Sequence, residues 1–169
     1  PQIRLPLQQR SIEAWARVLD SGVEIMSELG YEGFTIAEIC KRADVAPRFI
    51  YDRVDDKENL FLAVYMHGMM ELEEEQTELV KPGRWDELTS RERVSAAVHQ
   101  IGQIFMTHKE FLKSVVLISS SIDEISRRGA ESKNQFSKQF NEMLESIHSQ
   151  IIHPDPQDAI TACFDIVFS

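Results

Sequence analysis

Along most of the chain, apolar residues recur at steps of three and four. Ile12, Trp15, Val18, Leu19, Val23, Met26 and Leu29 form the first such series. That spacing puts them on one side of an α-helix of about five turns. Ser11 stands where an N-cap would, and Gly30 follows the last apolar position as a C′ glycine does. After the loop "GYEGF", Thr35 caps a second helix, with Glu38 at the capping-box spacing and Ile36, Ile39, Cys40 and Ala43 on its inner side. This helix lasts only about two turns. Asp44-Val45-Ala46 interrupts the period, and Pro47 suits the first turn of a new helix, where its missing N–H is not needed. A third helix is therefore predicted over residues 47–53, with Val45 and Ile50 anchoring the turn. Asp56 then caps a fourth, with Leu60, Val64, Met70 and Leu72 among its apolar positions, ending by "KPG" at 81–83.

The remainder continues in the same period. "SRERVSAAVHQIGQIFMTHKEFLKSVVLISSS" gives a helix to about Thr107 and another from near Lys109. Phe136, Phe140, Met143, Leu144, Ile147 and Ile151 mark a further one, and "HPDPQDAITACFDIVFS" restarts after its prolines as the last. No alternating pattern of strand type competes. The final helix reaches Ser169 without a stop signal, so the chain is expected to continue beyond it.

Two short helices around a three-residue break, with a long helix on either side, make the helix-turn-helix arrangement. In it, the second short helix stands proud of the core and can enter the major groove. Spacing alone equally permits an ordinary αα-hairpin. Charge bears on the choice. The 169-residue chain has a net charge of −10, which opposes duplex binding, because that leans on Lys and Arg at phosphates. The acid is unevenly placed, however. Residues 35–53 hold Lys41, Arg42, Arg48 and Arg53 against Glu38, Asp44 and Asp52, whereas 71–78 alone hold five glutamates, a pattern typical of a solvated helix face.

The stretch "GYEGFTIAEICKRADVAPRFIYDRVDDKENLF" resembles the N-terminal domain of the TetR family of bacterial transcriptional regulators. The resemblance rests on the Gly-Tyr after the first helix, Thr at the second cap, the central turn, the Tyr late in the third helix and the Lys-Glu-x-Leu that opens the fourth. It covers roughly residues 11–62 and is specific as a set. Asp44 stands where the family usually has Gly, Ala46 where a capping Ser or Thr is common, and Val54 where Phe is usual. Asp is among the few side chains that visit the left-handed region.

The resemblance implies an all-α fold: an N-terminal three-helix helix-turn-helix domain, 1–62, followed by a helical ligand-binding and dimerisation domain, 63–169. It also implies a homodimer acting as a repressor on a palindromic double-stranded DNA operator and released by a small-molecule effector that moves the fourth helix. Tyr51, Lys57 and the N-terminus of the second helix at Thr35 would touch phosphates, in keeping with anion binding at helix N-termini. Pro47, Arg48, Phe49 and Arg53 would face the groove, Arg48 as a bidentate reader of guanine.

Family members usually bind a small molecule among the C-terminal helices. Met66, Met70, Trp85, His99, Phe105, Met106, Phe111, Phe136, Phe140 and Met143 are the possible linings, because soft and aromatic side chains suit an adaptable, mainly apolar pocket. Taken singly, Met and Phe at helical spacing are more often core.

Catalysis finds little support: glycine-rich phosphate loops and nucleophile motifs are missing from the sequence, so no enzyme and no cofactor are expected. No two histidines stand at i,i+4, and Cys40 and Cys163 lack CxxC spacing, so neither a metal site nor a disulfide is expected. No run of about 18 apolar residues spans a membrane and "PQIRLPLQQR" has no apolar signal core, which points to the cytoplasm. The runner-up class is an all-α interaction module, or an enzyme, that keeps a helix-turn-helix core without binding DNA; the overall acidity keeps it open.

Overall fold

The computed structural model describes residues 3–168. Among them the chain forms eight α-helices and one short 3-10 helix, with no strand. These are α1 (Gln9–Gly33), α2 (Ile36–Ala43), α3 (Pro47–Tyr51), α4 (Lys57–Leu79), α5 (Ser90–Thr107), α6 (Lys109–Ser119), α7 (Asp123–Leu144), the 3-10 helix Glu145–Gln150, and α8 (Pro156–Phe168).

Local chemistry accounts for most of the boundaries. Thr35 Oγ1 accepts the Glu38 N–H at 3.2 Å and so caps α2. Glu38 does not close the capping box, because its carboxylate is engaged by Arg42 Nε at 2.9 Å. The Asp56 carboxylate accepts the Asn59 N–H at 2.7 Å at the start of α4. At Gly30, φ 65° and ψ −169° take the backbone out of the helix where the sequence places its stop, and one further turn follows. Helix α7 stops at Leu144 and tightens into the 3-10 helix, short of the predicted run to Ile151, and two boundaries nearer the N-terminus also differ from expectation. Ser11 is not the N-cap of α1: the helix begins at Gln9, and the Gln8 carbonyl accepts the Ser11 and Ile12 N–H groups without any side-chain cap. The third helix closes at Tyr51 rather than Arg53, its last carbonyls being taken by the turn N–H groups of Asp52, Arg53 and Val54.

Packing sorts the described chain into two compact units that do not follow chain order. The first joins residues 3–71 to His108–Ser126. Its core holds Phe34, Ile39, Ile50 and Phe61, all fully buried, with the Tyr31 and Phe34 rings meeting Phe61 edge-on at 5.0 and 5.5 Å. Helix α6 belongs here because buried Phe111 lies over Gly68 of α4 and buried Ser114 Oγ donates to the Met26 carbonyl of α1 at 2.8 Å. A buried hydroxyl thus finds a partner instead of paying for desolvation.

The second unit comprises Leu72–Thr107 and 127–168. Phe136, Phe140 and Phe164 form its buried centre, with ring centroids 5.5 and 5.6 Å from Phe164. No helix among the described residues is long and apolar enough to cross a membrane.

Candidate nucleic-acid interface

The turn between α2 and α3 is set by one residue. Asp44 sits at φ 52°, ψ 57°, in the left-handed region, where a short polar side chain is tolerated. Its N–H and that of Val45 return to the Cys40 carbonyl, which ends α2. Ala46 is extended and Pro47 opens α3. Arg17 Nε of α1 donates to the Ala43 carbonyl at 3.1 Å, and Arg42 bridges to Glu28 of α1 at 2.8 Å, so the C-terminal end of α2 is tied to α1 at two points. The guanidinium of Arg42, chiefly through its hydrogen bond, holds the Glu38 carboxyl below the usual range.

On α3 the fully buried Ile50 fixes which side faces the core. At about 100° per residue, Arg48 and Asp52 then point away from it while Phe49 and Tyr51 lie on the flanks. Arg48 has 90% of its side chain exposed and its Nε stands 4.0 Å from Asp52, a loose pair that a stronger acceptor can displace. Pro47 and Tyr51 are exposed and Phe49 is half-buried. Thr35, Pro47, Arg48, Phe49 and Tyr51 thus lie together on α2, α3 and their caps.

Lys57 opens α4 with its ammonium 4.1 Å above the Tyr31 ring. Burial raises the Tyr31 phenol above its ordinary pKa, helped by Glu58, Asp56 and Glu32. Arg53 is placed differently from its neighbours. Its guanidinium lies 3.5 Å from the Phe49 ring centroid and 6.0 Å from that of Trp15, and Nη1 donates to the Phe49 carbonyl at 2.5 Å. Its Nε is buried without a partner, and burial pulls the group below the ordinary arginine value. Instead of projecting outward, Arg53 is folded back over its own helix.

One neighbour of this surface lies outside every motif. The Arg4 N–H donates to the Arg53 carbonyl at 3.0 Å and its guanidinium meets Asp55 at 2.8 Å, seating the N-terminal segment beside the α3–α4 turn. Arg4 lies in the irregular start of "PQIRLPLQQR", which carries no periodic signal, so sequence reading passes over it.

The possible ligand-lining residues disperse. Met66, Met70, Met106 and His99 are exposed; Phe111, Phe136 and Phe140 are core; Phe105 is half-buried with its ring 5.0 Å from Phe168. Trp85 and Met143 alone among them line the cleft of about 440 Å³ in the second unit, beside Val80, Arg93, Glu142 and Ser146. Arg93 is buried, donating to Ser146 Oγ at 2.7 Å and the Trp85 carbonyl at 3.0 Å, with Asp86 3.5 Å away. This residue did leave a signal in the sequence: it shares the inner face of α5 with Ala97, Ile101 and Ile104. Among the described residues no group of three or more His, Cys, Asp or Glu could hold a metal ion.

Two short helices crossing at a left-handed turn, with an exposed arginine on the second, define a helix-turn-helix protein. The family model of bacterial regulatory proteins, tetR family, matches residues 18–64. That match spans α2, α3 and the parts of α1 and α4 that flank them, and leaves the rest of the chain outside it. Solved structures agree over most of the chain. A protein named as a fatty acid metabolism regulator of Clostridium perfringens is 20% identical, with 90% of this chain and 82% of that one covered at a TM-score of 0.62. A TetR/AcrR-family regulator from Thermobifida fusca YX-ER1 gives 16%, 95%, 82% and 0.68. A TetR-family regulator from Marinobacter aquaeolei VT8 gives 16%, 96%, 75% and 0.67. At these identities the likeness is one of fold. Comparison with curated protein sequences gives no match.

Proposed function

We propose that the chain is a ligand-responsive transcriptional regulator that binds a palindromic operator as a homodimer, acts as a repressor, and is released by a small molecule. Residues 1–62 form the DNA-binding domain in this reading, and 63–169 the effector and dimerisation region. The observation that carries it is α3, which presents Arg48, Phe49 and Tyr51 outward from a buried Ile50. Arg48 reads a guanine, Tyr51, Lys57 and the N-terminal end of α2 at Thr35 hold phosphates, and Pro47 bounds the contact. Arg53 takes a supporting place, because its guanidinium is already committed within the domain.

Helix α4 offers the route for regulation: Lys57 is its first residue, and Thr77 and Glu78 near its other end line the cleft. A ligand that binds the cleft in one arrangement of α4 better than in another shifts the population and with it the DNA affinity. The cleft mixes Trp85, Met143 and Val80 with Arg93 and Glu142, so an effector with an apolar body and one polar group fits it better than a hydrocarbon.

A gel-shift titration with a random duplex pool, repeated at several salt concentrations, tests DNA binding. Saturable complexes that weaken steeply with salt are expected, and indifference to duplex overturns the reading. For the effector, compounds that change Trp85 emission in the wild type but not in Trp85→Phe should weaken the complex. Tight cleft ligands that leave DNA binding untouched would show that the cleft is not regulatory.

A further inference from the structure

Phe49 is an apolar side chain on the flank of a helix whose outer side carries Arg48 and Asp52. It is half-exposed, and its ring is not free to swing. The Arg53 guanidinium covers one face at 3.5 Å from the centroid, and the same group donates to the Phe49 carbonyl and lies 6.0 Å from the ring centroid of buried Trp15. A planar cation against a ring is a favourable pair, more so where water is excluded. To fork onto a guanine, Arg53 would have to give up both that stack and its hydrogen bond. The arrangement therefore fixes an aromatic surface with no hydrogen-bonding capacity next to the exposed arginine of the recognition helix. In the major groove one base feature matches such a surface: the 5-methyl group of thymine, the only apolar group among the edges that the four base pairs display there.

We propose that Phe49, seated by Arg53, reads thymine through its 5-methyl group, one contact in each half-site, so that base reading by α3 is divided between Arg48 and Phe49. This rests on the DNA-binding reading above. Arg53 is a positioning residue in this scheme and touches no base.

The experiment starts from the sequence that the full chain selects from a random duplex pool. Each thymine is then replaced in turn by deoxyuridine, which removes the methyl group and nothing else. At one position per half-site, affinity should fall about fourfold, the worth of one buried carbon group. The loss should vanish in Phe49→Ala, persist in part in Phe49→Leu, and shrink in Arg53→Met, with circular dichroism and thermal unfolding confirming that each variant is folded. A flat uridine scan, a selected half-site without thymine, or a methyl effect that survives Phe49→Ala overturns the proposal while leaving DNA binding intact. An undiminished methyl effect in Arg53→Met removes Arg53 from it. If no sequence is enriched at all, the DNA-binding reading fails and this inference falls with it.

Discussion

Helices α1 and α4 meet so closely at Gly22 that a single added carbon should be felt. A Cβ at position 22 would lie 2.4 Å from Val64 Cγ2 and 2.9 Å from Cγ1. Rotating the valine does not clear it: two of its three substituent positions face Gly22, and two methyl groups over three positions always leave one facing. The helical backbone also holds valine strongly to one rotamer. The helices must therefore separate or strain, which costs about 1–3 kcal/mol. Alanine in place of glycine returns up to about 1 kcal/mol of helix propensity. Gly22→Ala should thus lose about 1–2 kcal/mol net, a fall of roughly 2–8 °C in Tm for a chain of this size. Val64→Ala alone should lose about 1.6 kcal/mol for its two methyl groups, before any cavity term. Together the two should cost less than their sum, because the second removes what the first collides with. Urea unfolding of all four proteins, followed by far-ultraviolet circular dichroism, gives the coupling energy. A value of about 1–2 kcal/mol is expected; additivity within about 0.3–0.5 kcal/mol would refute the close approach.

Asp44 holds a positive φ, so Asp44→Gly should fold with little change, whereas the branched Asp44→Val should lose about 1–2 kcal/mol by chemical denaturation. Glu38 has its carboxyl pKa lowered by Arg42. Its stabilising contribution is present above the ordinary glutamate range, about 4.3, and is lost as pH falls through the depressed folded value. Arg42→Met should accordingly flatten the acid limb of a stability–pH profile, and an unchanged limb would show that the pair contributes nothing there.

Most of the helix-turn-helix was legible because its signals are local. The Thr35 cap, the Gly30 break, left-handed Asp44, Pro47 at the start of α3 and the Asp56 cap are all backbone requirements that particular residue types meet within four positions. What escaped depends on distant partners. Arg53 reads as an exposed base on a short helix, and the nearness of Trp15, on α1, is not visible from its own stretch of sequence. Arg4 gains its place from Asp55, far along the chain. Phe136 and Phe140 could line a pocket by period alone; Phe164 of the last helix makes them core. Nor does period reveal that α6 packs with α1, since that depends on the Ser114 bond to Met26 and on Phe111 over Gly68.

The central claim is that α3 reads DNA while the start of α4 grips its backbone. It is tested most directly by comparing Arg48→Ala with Lys57→Ala on the selected operator and on random duplex across a salt series. Lys57→Ala should weaken both DNAs alike and reduce the salt slope by about one unit per subunit. Arg48→Ala should cost roughly 1–3 kcal/mol on the operator, relax one base pair in each half-site, and change random binding less. Equal losses from Arg48→Ala on both duplexes would contradict the account, making Arg48 another phosphate clamp and leaving α3 without its principal base reader.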